Sequence, residues 1–72
     1  MQPLTAKELE YIVDSMSNED LLIKQCTAAA ASVQNPQLAR IALEMAGRHQ
    51  THYNYLLNTL QQHQQLAPTQ PM

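Results

Sequence analysis

The sequence predicts an all-α fold: an antiparallel hairpin of two long helices that dimerises into a four-helix bundle. Three observations carry that expectation. The 72 residues include one glycine, too few for a turn-rich β fold. Apolar residues recur every three or four positions along two long stretches. Between the stretches stands Asn35-Pro36, a helix stop and a helix start in two residues.

The first helix opens on Thr5-Ala6-Lys7-Glu8, which has the spacing of a capping box. Leu4 and Leu9 occupy the two positions of a hydrophobic staple around it. Glu8, Glu10 and Asp14 place negative charge towards the helix N-terminus, the sign its dipole favours. The buried stripe reads Leu9, Ile12, Met16, Glu19, Ile23, Cys26, Ala30, Val33, a heptad-like seam that only Glu19 interrupts. Val13, Leu22 and Ala29 widen it, and Ala28 to Ala31 let a neighbouring helix come close.

Asn35 precedes proline and is pushed out of the α region, while Pro36 suits the first position of the next helix. So short a connection makes the helices antiparallel. The second stripe reads Leu38, Ile41 with Ala42, Met45, His49, His52, Leu56, Leu60 and His63. One domain, residues 1–66, thus holds helices at 5–34 and 36–66, each roughly 42 to 45 Å long at 1.5 Å per residue. Residues 67–72, with two prolines and no periodicity, are expected to form a disordered tail.

Composition narrows the function. Hydrophobic residues make up 44% of the chain, without Phe or Trp, and a chain of this size buries only about 60% of its unfolded surface. A homodimer is the natural remedy. The net charge is −2, and Lys7, Lys24, Arg40 and Arg48 stand singly, so no basic patch awaits nucleic acid. No apolar run approaches the roughly 20 residues that span a bilayer, and nothing at the start reads as a signal peptide. Cys26, alone, forms no internal disulfide and reads as a small core residue. Ten glutamines suit an uncharged, hydrogen-bonding surface.

The polar residues of the stripes form the candidate site. Reflection across the turn puts Glu19 opposite about residue 50, level with His49 and His52, all three pointing inward. In a two-fold dimer one layer would hold two glutamates and four histidines. Carboxylate and imidazole on facing helices are how metal sites are built in bundle cores, and imidazole suits Zn, Fe, Cu or Ni. The other reading is a structural polar layer, a hydrogen-bonded Glu–His or Glu19–Arg48 pair that fixes register and oligomer state. His63 falls near the open end, far from Glu19, and Tyr11, Tyr53 and Tyr55 read as rim packing. Gly47, mid-helix, marks either a close helix approach or nothing.

Several segments resemble a known family: Thr5-Ala6-Lys7-Glu8-Leu9, Ser17-Asn18-Glu19, Cys26, Asn35-Pro36-Gln37-Leu38 and, above all, Arg48-His49-Gln50-Thr51-His52-Tyr53-Asn54-Tyr55-Leu56-Leu57. Over about residues 5 to 60 they look like the coat-F domain of bacterial spore coat proteins. The resemblance implies an endospore-forming bacterium and a small helical protein of the spore coat or its precursors. It implies other spore coat proteins as partners, and a location in the bacterial cytoplasm (mother cell or forespore) and the coat. It also implies kinship with the ferritin-like superfamily, whose di-iron enzymes set Glu-x-x-His against a neighbouring Glu. Here Glu19 matches the neighbour's Glu and His52 the motif's His, but the position three before it is His49 and the next three before is Ala46. The bridging carboxylates are missing, so di-iron oxidase chemistry is not expected.

The leading expectation is therefore a structural, non-enzymatic protein without cofactor, a dimeric ferritin-like bundle within a spore coat. The alternative is a metal-binding bundle with Glu19, His49 and His52 as ligands to a transition metal such as Zn or Fe, with redox activity open.

Overall fold

A computed structural model describes residues 4–66, with side chains to residue 63. It contains two helices, α1 (Ala6–Ser32) and α2 (Pro36–Leu66), packed against each other as an antiparallel hairpin. The expected tail at 67–72 lies outside the described residues. The expected capping box is present, with Thr5 as the cap one residue before the helix: the Glu8 amide donates to Thr5 Oγ1 at 3.1 Å, and the Thr5 amide donates to Glu8 Oε1 at 2.8 Å. These bonds to Thr5, backbone first and then side chain, hold the Glu8 carboxyl below its ordinary value of 4.5. Leu4 and Leu9 are both half-buried, as a staple requires.

α1 stops two residues earlier than expected. Val33 turns to extended backbone at φ −79°, ψ 144°, with its amide still donating to Ala29 at 3.0 Å. Asn35 then caps α2: its side-chain oxygen accepts from Gln37 at 2.8 Å and from Leu38 at 3.3 Å, and Pro36 takes the first helical position. Among the described residues none has positive φ, so the turn closes without glycine.

The seam of α1 is the expected one: Leu9, Ile12, Met16, Glu19, Ile23, Cys26 and Ala30 are its half-buried residues, while Val33, past the helix end, is 37% exposed. The seam of α2 differs. Its half-buried residues are Ala39, Ala42, Ala46, His49, Tyr53, Leu56, Leu60 and His63, with Thr59 beside Leu60. Leu38, Ile41, Met45 and His52, expected to face inward, are exposed. The cause is periodicity. α1 repeats in strict alternation of three and four, and a partner stays in register with it only at the same period. The observed α2 seam keeps that alternation throughout. The expected stripe contains consecutive steps of four, which would carry it off around the helix. Three seam alanines also face the small end of α1, around Cys26 and Ala30, so the larger residues there lie to one side.

The result is a rod of 55 × 19 × 17 Å. Its radius of gyration, 16.4 Å, exceeds the about 11 Å of a compact domain of this length. Among the described residues none is buried. A Cβ placed on Gly47 would meet no atom within 4 Å, so no helix of the hairpin approaches there.

Thr5→Ala removes the cap and is expected to cost about 1 kcal/mol, read by urea unfolding. Because the Glu8 pKa is lowered on folding, its contribution is complete above 4.5 and is lost as pH falls through the depressed value. In Thr5→Ala the backbone amide at position 5 still donates to Glu8, so that part of the acid dependence should be weakened rather than abolished, as an acid titration of first-turn helicity by NMR would show.

Candidate functional site

Helical geometry brings the three polar residues together. Glu19 is a seam residue at the midpoint of α1, facing His49 in the seam of α2. His52 lies one turn beyond His49, on the same side of the helix but off the seam. His49 Nδ1 donates to Glu19 Oε2 at 2.5 Å, and His52 Nδ1 lies 3.3 Å from Glu19 Oε1. One carboxylate thus accepts from two imidazoles on the opposite helix. The rings meet edge to face, centroids 5.8 Å apart and planes at 82°.

Exposure separates the two histidines. The side chains of Glu19 and His49 are 18% and 20% exposed, that of His52 60%. The expectation that all three point inward therefore holds for Glu19 and His49, while His52 closes the layer from the solvent side. Glu19 bonds these two rings, not Arg48. A half-buried carboxylate needs such partners, and a carboxylate can only accept, so both rings present Nδ1–H to it. One ligand atom from each of Glu19, His49 and His52 lies within 4.8 Å of the others.

The surroundings are simple. Asp20 pairs with Lys24 at 2.9 Å, and this hydrogen bond, with the attraction of the charges, raises the Lys24 pKa. Both side chains are exposed, so the pair is a solvated helix-surface bridge of little weight. A shallow groove lined by Val13, Met16, Ser17, Asp20, Tyr53 and Leu60 runs along the hairpin, its one carboxylate engaged by Lys24. The hydroxyls of Thr27, Ser32, Thr51 and Thr59 are each turned onto the carbonyl four residues back.

Two placements were not foreseen. The Leu4 amide donates to His63 Nδ1 at 3.0 Å, tying the open end of the hairpin shut with a half-buried ring. The signal was present, since His63 continues the strict alternation of the α2 seam. Tyr53, expected at the rim, is a seam residue. Tyr11 and Tyr55 are exposed, with Lys7 Nζ 5.9 Å from the Tyr11 ring.

Comparison with known proteins returned no match to a family model, a curated protein or a solved structure.

Glu19→Leu leaves the His49 Nδ1–H without its acceptor in a half-buried seam, at a cost of about 1–3 kcal/mol. Glu19→Leu with His49→Leu completes an apolar seam and is expected to recover that loss or exceed it. Chemical denaturation of the single and double variants measures both, and a double variant less stable than the single would refute the account.

Proposed function

We propose that this chain is a structural, non-enzymatic assembly module whose hairpin is half of a four-helix bundle completed by a second copy. The observation that carries this reading is an apolar side with nothing over it, on a hairpin in which no described residue is buried. Leu38, Ile41 and Met45 each stand one residue before a seam alanine, and Leu22 stands one before Ile23. In an antiparallel pair these flanks share one side. Leu38 is 53% exposed, Ile41 51% and Met45 46%. Each Å² of such surface removed from water contributes about 25 cal/mol. A hairpin alone has no second layer to bury it against, and a copy of itself supplies one.

The patch also favours an orientation. It occupies the turn half, whereas Glu8, Ser15 and Thr59 continue the same flank towards the open end. A two-fold axis along the helices, turns at one end, lays apolar half on apolar half. An axis across the rod would lay apolar on polar. In either case the Glu19 layer, at mid-length, meets its own copy and can fix the register.

The coat-F resemblance supports placing this assembly in the spore coat of an endospore-forming bacterium, beside other coat proteins. No helix among the described residues is long and apolar enough to cross a membrane.

Sedimentation equilibrium at micromolar concentration should return twice the 8.1 kDa chain mass. Met45→Glu should give a monomer of reduced helicity, while Leu21→Glu, on the outer face of α1, should leave the dimer intact. A wild-type chain that is monomeric and fully helical would refute the bundle. Detection of the chain in vegetative cells and its absence from extracts of purified spores would refute the coat assignment.

A further inference from the structure

We infer that Glu19, His49 and His52 form a binding site for a divalent first-row transition metal, held within a single hairpin. The hydrogen-bond pattern carries the argument. Two Nδ1 atoms from the opposite helix converge on the one Glu19 carboxylate, at 2.5 and 3.3 Å. The two nitrogens and the carboxylate are the donors a cation would use, and the protons between them are the ones it would displace. The balance is simple. A neutral imidazole that carries its proton on Nδ1 carries it on Nε2 once Nδ1 ligates, so no proton leaves. A protonated ring gives up one proton to solvent.

Geometry and donor type narrow the ligand. Bonds of about 2.0–2.2 Å in a tetrahedral site set ligand atoms roughly 3.3–3.6 Å apart. The three groups already offer atoms within 4.8 Å of one another. His52 is the exposed member, free to close the remaining gap by side-chain rotation. Glu19 and His49 are held in the seam and need not move far. Two imidazoles and one carboxylate suit Zn²⁺, Co²⁺, Ni²⁺ or Cu²⁺ over Mg²⁺ or Ca²⁺, which prefer all-oxygen sets. Three protein ligands leave a fourth position, on the His52 side, for water. Ligation would cross-link the midpoints of α1 and α2 and stabilise the folded hairpin.

All three donors belong to one chain, so a single hairpin can hold the metal whether or not a copy docks beside it. The full-length protein, stripped with chelator, is titrated with Zn²⁺ by calorimetry and with Co²⁺ by visible absorption. One metal per chain, tetrahedral Co²⁺ bands and a raised thermal midpoint are expected. His52→Ala, at an exposed position that should leave helicity unchanged, should weaken binding at least tenfold, as should Glu19→Gln. Cys26→Ser and His63→Ala should bind as the wild type does. No uptake by the wild type, undiminished binding in His52→Ala, or loss of binding in Cys26→Ser or His63→Ala would each overturn the assignment. Sedimentation of the same samples reads the oligomeric state independently.

Discussion

Two helices packed side by side touch along a line, and a line of contact has no interior. Every feature of this hairpin follows from that constraint. The seam residues reach only half burial, none of the described side chains is buried, and the rod is far longer than it is wide. A chain of 72 residues is already marginal for a single core. Arranged as a hairpin it buries little apolar surface within itself. Capping and end-tying carry correspondingly more weight. The Thr5–Glu8 box, the Asn35 cap and the Leu4–His63 bond satisfy termini that no surrounding protein covers.

Much of the fold was legible because its determinants are local. A capping box, a pre-proline asparagine and a strict apolar repeat fix where α1 begins, where the chain turns and which face of α1 is covered. The level of Glu19 with His49 and His52 followed from reflection across a short turn, and the two cross-helix contacts confirm it. The α2 seam was not legible by size alone. Two stripes one residue apart compete there, one rich in Leu, Ile and Met, the other in alanine. Hydrophobicity favours the first and a matching period favours the second. In a hairpin, period wins, since two helices can share a long seam only at a common repeat.

That outcome is what frees the larger side chains. Had Leu38, Ile41 and Met45 filled the seam, the turn end would have been wide and the flank polar. With alanines at the contact, Leu38, Ile41 and Met45 stand exposed on one flank of the seam. The small residues at the contact and the large ones beside it are thus two aspects of one register.

His52 stands where the two proposals meet. It lies one residue before the Tyr53 seam position, as Met45 lies one before Ala46, so it shares the open apolar flank while its Nδ1 reaches Glu19. A copy docked on that flank would take the ring out of water and hold it against the carboxylate. A metal on Glu19 and His49 would fix the same ring from within. Each event restricts the one side chain that the other needs ordered, and a ring already held costs the second event less. By linkage the help is reciprocal and of equal size in both directions. A polar group at mid-length of a mainly apolar seam is therefore where the two proposed events would be felt together.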